Sequence, residues 1–304
     1  MSFAVLCSGQ GAQEPAMFDI LESDAAAQTV FDDASAAAGI DLVSIKRDPA
    51  LAFANEVAQP LICAYQFALW SALAPRIARP ILFAGYSVGE LAAYGCAGSL
   101  AITDLLALAR ERADAMNAAS ASDDGMLALR GLARSVVEAL CLAHGASIAI
   151  VNGDDHFIVG GSSSAFDALM RNAIEKGGSA QRLRVGVASH TPRLASASER
   201  FGIALRQVPW SDPRTPVLSG LDGSAVRDAL TAIDVLARQI STTIRWVDCM
   251  DSAHERGMRT CLELGPGNAL ARMVRERYAD VEARSVADFR SMDAAVDWVE
   301  RATG

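Results

Sequence analysis

Gly85-Tyr86-Ser87-Val88-Gly89-Glu90 constrains this chain more than any other stretch. An apolar run, Ile81-Leu82-Phe83-Ala84, precedes it, and a helix-favouring segment, Glu90-Leu91-Ala92-Ala93-Tyr94, follows. Strand, G-x-S-x-G and helix in that order predict a nucleophile elbow, a turn so tight that the serine's flanks must be nearly free of side chains. The hydroxyl of Ser87 is thereby left exposed at a helix N-terminus, whose free N–H groups and positive dipole suit an oxyanion. With 23 glycines in 304 residues, composition alone supplies only ~0.15 such patterns. The flanking strand and helix make Ser87 the expected nucleophile.

Such an elbow needs a large buried sheet around it, and the composition provides one. Hydrophobic residues make up 51% and charged residues 21% of the chain, the balance of a well-packed globule of one large domain or one domain with an insert. The net charge of −9 argues against non-specific nucleic-acid binding. It leaves room for an acidic protein partner at a local arginine patch, for which Arg182, Arg184 and Arg193 are candidates. The six cysteines (Cys7, Cys63, Cys96, Cys141, Cys249, Cys261) form no C-x-x-C pair and no zinc spacing, so no metal site is expected. They read as reduced core thiols of an intracellular protein. Met1-Ser2-Phe3-Ala4 lacks a basic secretory n-region, and the longest uncharged, mostly apolar run, Leu61 to Ala74, is too short to span a bilayer and contains Gln66. The expected compartment is the cytoplasm, with no membrane contact.

Along the chain, Phe3 to Cys7 reads as a buried strand that enters a Gly-rich loop, Ser8-Gly9-Gln10-Gly11. Pro60 is placed at the first turn of an apolar helix that ends near Leu73, because Pro75 disfavours helical geometry at Ala74. Ile102 to about Ala118 is a second helical pattern, with Thr103 as its N-cap. From about Gly125 to Val187 the pattern changes. Strands at Met126–Leu129, Ser147–Val151, Phe157–Val159 and Arg182–Val187 are interleaved with helices at Ser135–His144 and Ser163–Lys176. That β-α-β-β-α-β order is the ferredoxin-like signature. The expected organisation is a large α/β domain over 1–123 and 190–304, with a small subdomain over 124–189. Strands at Thr215–Ser219 and Thr260–Leu264 return the chain to the large domain.

A serine hydroxyl needs a base within hydrogen-bond reach. Of the four histidines, His144 ends a helix before Gly145, His254 lies on a polar helix face and His156 sits in the hairpin of the small subdomain. His190, between Ser189 and Thr191-Pro192, lies in the loop leading back to the large domain, where catalytic side chains collect. No acid between Ser87 and His190 is marked by context as a third member, so a backbone carbonyl is an open alternative. The N–H of Val88, directly after the serine, is one oxyanion donor by geometry. The Gly9-Gln10-Gly11 loop either supplies a second or is simply a turn.

Together these pieces resemble the malonyl-CoA:acyl-carrier-protein transacylase family over nearly the whole chain. The resemblance is carried in order by Gly9-Gln10-Gly11-Ala12-Gln13, the elbow, Arg112 with Met116, Ser189-His190-Thr191-Pro192, and Glu263-Leu264-Gly265-Pro266-Gly267. It implies a hydrolase-like large domain with a parallel sheet and a ferredoxin-like insert. It makes Ser87 the acylated nucleophile, His190 its base, and the backbones of Gln10 and Val88 the oxyanion hole. Gln239 matches the position whose main-chain carbonyl holds the histidine, and Asn152 an asparagine close to the active site. Read alone, Arg112 in Arg110-Glu111-Arg112 is one charge on a solvated helix face. The resemblance, with Met116 four residues on, makes it instead the partner of a malonyl carboxylate, which a guanidinium binds through two parallel N–H bonds. The implied reaction is transfer of malonyl from malonyl-CoA, with no bound cofactor, to the thiol of an acyl carrier protein.

Three departures narrow the resemblance. Tyr86 replaces the elbow histidine, Ser8 a proline, and His156 a glutamine. The segments Gly85 to Tyr94 and Ala283 to Ser291 look most like the malonyltransferase subunit of bacterial malonate decarboxylase, whose carrier bears a dephospho-CoA-derived prosthetic group. A transacylase of fatty-acid or polyketide synthesis is the nearest alternative. A serine esterase or thioesterase is a further one, which Arg112 opposes because a neutral acyl chain leaves a buried guanidinium unpaired. A catalytically dead carrier-docking scaffold is opposed by Ser87, His190 and Gln10 occurring together.

Overall fold

In the computed structural model, which describes residues 2–304, ten strands form two sheets. They are β1 (Phe3–Cys7), β2 (Leu82–Gly85), β3 (Asp124–Arg130), β4 (Ser147–Val151), β5 (His156–Ser162), β6 (Ser179–Arg182), β7 (Val217–Leu218), β8 (Ala225–Val226), β9 (Thr260–Leu264) and β10 (Glu282–Ser285). The large sheet runs β10-β9-β1-β2-β7-β8 and is parallel apart from β8. β1, β2 and β9 are buried at every position, as expected of strands covered on both faces. In register, Cys7 lies beside both Gly85 and Leu264, so these three strands end level. The chain builds outward from β1 through β2, β7 and β8, then returns to the other side of β1 as β9. A reversal of that kind opens a crevice beyond the carboxyl ends of the strands. Gln66 pins that edge, donating to the carbonyls of Ser8 (2.7 Å) and Leu264 (3.0 Å).

The small sheet runs β4-β5-β3-β6, every pair antiparallel. With its two helices, Arg134–His144 and Ser163–Glu175, it has the ferredoxin-like order the sequence predicts. It does not stand apart. Met126, Ala149, Ile150 and Ile158 share one apolar core with Ala4, Leu6, Leu82 and Trp246 of the large domain. Ile244 also extends β4, accepting from Val151 N–H (2.8 Å) and donating to Ala149 (2.9 Å). This seam fixes the small sheet over the crevice.

Several local expectations need correction. The apolar helix spans Asn55–Leu73, with Pro60 inside it rather than at its start; Pro60 still lies close enough to the N-terminus that few intrahelical N–H bonds precede it. The helix ends where predicted, yet Ala74 is itself right-handed helical (φ −53°, ψ −38°), so Pro75 stops the helix without moving its neighbour out of that region. Thr103 lies within the helix Ile102–Ala119, whose cap is Ala101. The last small-sheet strand is β6, at Ser179–Arg182 rather than Arg182–Val187. Beyond β6 only Leu183 still bonds to β3, its N–H donating to the Met126 carbonyl (3.0 Å), and Val185 and Val187 pack on the core. The strand expected over Thr215–Ser219 is ordered as a strand only at Val217–Leu218. All six cysteines are buried and free, and among the described residues no helix is long and apolar enough to cross a membrane.

Candidate active site

Ser87 caps the helix Val88–Cys96 with φ 58°, ψ −119°. It and His190 (φ 59°) are the two non-glycine residues with positive φ among those described, a cost tolerated where the surroundings over-determine the backbone. The elbow's glycines are steric necessities. A Cβ on Gly85 would lie 2.2 Å from the backbone of Glu90, and one on Gly89 would lie 2.2 Å from the Cys7 carbonyl. Glycine thus lets the elbow helix press onto the end of β1.

The Gly-rich loop after β1 comes equally close. A Cβ on Gly9 would stand 2.8 Å from the Tyr86 carbonyl oxygen and 3.7 Å from Ser87 Cβ, so the backbone of Gln10 follows directly alongside the elbow. Gln13 braces this loop by accepting from Gly11 N–H and donating to the Ala52 carbonyl (2.9 Å). Val88 N–H is the first of its helix and has no intrahelical acceptor.

His190 Nε2 lies 2.8 Å from Ser87 Oγ. Its Nδ1 lies 2.7 Å from the main-chain carbonyl of Gln239, and its N–H donates to the next carbonyl, that of Ile240 (2.9 Å). A carbonyl only accepts, so Nδ1 carries the proton and Nε2 faces the serine with its lone pair. Burial, first, and the Arg112 charge, second, push His190 down to about 3, against the pull of the Gln239 carbonyl. The ring is therefore neutral throughout the physiological range.

Arg112, which its local run of charges alone would put on a solvated face, is buried at 1% exposure. Its Nη1 donates to Gln59 Oε1 (2.8 Å) and points at Met116 Sδ (3.3 Å). Its Nη2 donates to Gln239 Oε1 (3.0 Å) and reaches Ser87 Oγ at 3.5 Å. Burial draws Arg112 down to about 10, which leaves it a cation at neutral pH. Among the described residues no carboxylate forms an ion pair with it.

Ser87, His190, Arg112, Met116 and Gln239 thus form one bonded cluster, with the backbones of Gln10 and Val88 beside it. Asn152 stands apart, on the turn after β4. It is buried, its Nδ2 is 3.4 Å from His156 Nε2, and it borders the Tyr86 hydroxyl. A cleft of about 600 Å³ joins the two groups, floored by Ser87 and His190 and walled by Arg130 and Arg182 of the small sheet and by Arg184 just beyond it. Of the arginines considered for a partner, Arg193 is spent on buried Asp124 (2.7 Å) and Arg182 on Asp167 (2.7 Å). Arg184 lies over the Phe53 ring with its charge open to solvent.

Two residues of the cluster are absent from the sequence reading. Gln59 is a buried polar residue four positions after Asn55 on an apolar helix face, and the two are bonded (2.8 Å). That spacing is a legible signal of a polar lining. Glu90 stands in the elbow itself, wholly buried, with Oε2 accepting from Gln239 Nε2 (2.5 Å) and Gly220 N–H (3.0 Å). Burial pushes it up to about 7.

The profile of the acyl transferase domain family matches residues 4–294. The malonyl CoA-acyl carrier protein transacylase of Mycobacterium tuberculosis (strain H37Rv) is 30% identical over 297 residues, covering 95% of this chain and 98% of the relative. The crystal structure of FabD from Acinetobacter baumannii superposes with a TM-score of 0.92 at 28% identity, covering 99% of each chain. That of the acyl-carrier-protein S-malonyltransferase from Burkholderia pseudomallei gives 0.90 at 30% identity, covering 98% of this chain and all of the other.

Proposed function

Because this chain belongs to the acyl transferase domain family, we propose that it moves a malonyl group from malonyl-CoA to a carrier-protein thiol through a malonyl ester of Ser87. The observation that carries this reading is the Arg112 guanidinium, buried without an ionic partner 3.5 Å from Ser87 Oγ. A desolvated cation is costly to hold, and a ligand carboxylate beside the reacting carbonyl offsets that cost. An esterase acting on neutral acyl groups gains nothing from it.

The chemistry follows from the hydrogen bonds. Ser87 Oγ attacks the thioester carbonyl while its proton passes to His190 Nε2, and the Gln239 carbonyl stabilises the resulting imidazolium through Nδ1–H. The N–H groups of Val88 and Gln10 receive the oxyanion. The C–S bond then breaks, and His190 returns the proton to the departing CoA sulfur. A carrier thiol repeats the sequence in reverse, giving its proton to His190, attacking the acyl-serine and releasing the Ser87 hydroxyl. The thioester is already an activated acyl donor, so serine and histidine complete the transfer with no resident cofactor. Bound malonate also neutralises Arg112 and so lifts one of the two influences that make His190 a weak base.

The acceptor we propose first is an acyl carrier protein, as the names of the relatives favour. Tyr86, Ser8 and His156 motivate a second acceptor, the malonate decarboxylase carrier with its dephospho-CoA-derived group. Incubation with malonyl-CoA or acetyl-CoA, followed by intact and peptide mass measurement, tests the reaction. A malonyl adduct on the Ser87 peptide with little acetyl adduct is expected. Hydrolysis of both esters without an adduct would overturn the transferase reading. Presenting both carriers to the malonylated protein then ranks the acceptors.

A further inference from the structure

We propose that Glu90 is a positioning residue for acyl selection: its carboxylate fixes which way the Gln239 side-chain amide faces, and that amide aims the Arg112 guanidinium. The inference rests on Arg112 being the acyl-carboxylate receptor. Glu90 is fully buried and does not line the cleft, so it acts only through its neighbours. Its Oε2 receives two N–H donors, from Gln239 (2.5 Å) and from the Gly220 backbone (3.0 Å). Both lone pairs of that oxygen are thereby used, and any proton Glu90 acquires goes to Oε1. Oε2 remains an acceptor in either state.

The consequence for Gln239 is directional. With its NH2 committed to Glu90 and to the Ser87 carbonyl (3.3 Å), its Oε1 is left to accept from Arg112 Nη2 (3.0 Å). The flipped amide would set NH2 against a guanidinium that has only donors, and oxygen against oxygen at Glu90. Without the carboxylate the amide keeps only the longer bond to the Ser87 carbonyl (3.3 Å) on its NH2 side, and the Gln239 anchor of Arg112 is no longer held firmly in place. Gly220 belongs to the same device. A Cβ there would stand 2.7 Å from Glu90 Oε2, so a bare backbone is what lets the carboxylate reach its place.

The experiment follows two reactions of Ser87 in the full chain: acylation by malonyl-CoA, and labelling by an uncharged fluorophosphonate that makes no use of Arg112. For Glu90→Met we expect the malonyl-CoA KM to rise about tenfold or more while fluorophosphonate labelling changes by less than about threefold. Gly220→Ala, which keeps the carboxylate and displaces it, shifts KM in the same direction by about threefold or more and carries the test if Glu90→Met does not fold. Glu90→Gln keeps an acceptor for both donors and stays within about threefold of the parent in both reactions. Unchanged malonyl KM in Glu90→Met and Gly220→Ala, or parallel loss of both reactions, would overturn the positioning role. A parent protein labelled by fluorophosphonate but never by malonyl-CoA would instead strike the transferase reading.

Discussion

The floor of the cleft and its small-sheet wall are built on opposite terms. In the floor and the layer directly beneath it, His190, Arg112, Gln239 and Glu90 are exposed by 1% or less, and each is bonded to at least one other member of the cluster or to Ser87. They come from separate segments and meet at the ends of buried parallel strands. On the wall, Arg130, Arg182 and Arg184 are exposed, and the edge strand β6 has no buried residue. Proton transfer requires heavy atoms held within a few tenths of an ångström, which only over-determined packing supplies. A surface that meets a separate protein works through charge in solvent, where single contacts are worth little. On this contrast we propose that the acyl chemistry belongs to the floor and the encounter with the carrier to the wall.

That assignment fails first at Ser87. Ser87→Ala should abolish covalent acylation by malonyl-CoA in mass spectra; an adduct persisting on another peptide would move the chemistry off this floor. Arg112→Ala should come next. It is expected to cost malonyl transfer about 3 kcal/mol, a hundredfold or more in kcat/KM, and acetyl transfer far less. Equal losses for the two acyl groups would make Arg112 a packing residue like its neighbours rather than a receptor.

Acidity separates the two regions next. An imidazole of ordinary pKa is about 3% neutral at pH 5, a loss of base of about twenty-fivefold relative to pH 7. His190 is drawn down to about 3, so in the free enzyme its neutral form persists as pH falls through 6.5 and is lost only near the lower value. Fluorophosphonate labelling of Ser87 should therefore change by less than about twofold between pH 7 and pH 5. In Arg112→Ala, where one of the causes of the depression is gone, the acid limb should move to higher pH. A limb centred near 6.5 in the parent protein would mean that the floor is wetter than its geometry describes.

Legibility in the sequence follows the same division. The elbow is a local motif whose glycines are required by contacts within a few residues and with β1, and Ser87 is evident from it. Val88 follows by adjacency. His190 was one of four histidines, distinguished by its loop. Arg112 looked solvated because its burial depends on Gln59 and Gln239, 53 and 127 residues away, and no local pattern encodes that. Glu90 was in plain view but counted as a helix former, because its partners Gln239 and Gly220 lie far along the chain. The edge strand departs from the expected place for a related reason: β6 (Ser-Ala-Gln-Arg) is polar and solvated, while Val185 and Val187 after it pack on the core beyond the last bond to β3, at Leu183. Short-range sterics and apolar runs are written locally, whereas polar networks exist only once distant segments meet.

The smallest expected effect lies on the wall. Arg184 sits 5.7 Å over the Phe53 ring and carries no ion pair among the described residues, whereas Arg182 and Arg193 are already engaged by carboxylates. Arg184, like the equally exposed Arg130, is thus a wall arginine whose charge no carboxylate among the described residues engages and which is free to meet an acidic partner. Its loss should leave malonyl-Ser87 formation at saturating malonyl-CoA unchanged, since it touches none of the floor residues. Transfer onward to the carrier should show an increase in carrier KM of about threefold to tenfold, largest at low salt and shrinking as the Debye length shortens. A salt-dependent KM with constant kcat places recognition on the wall. If Arg184→Ala instead lowers kcat for acylation itself, the wall reaches into the chemistry, and floor and wall are one site rather than two.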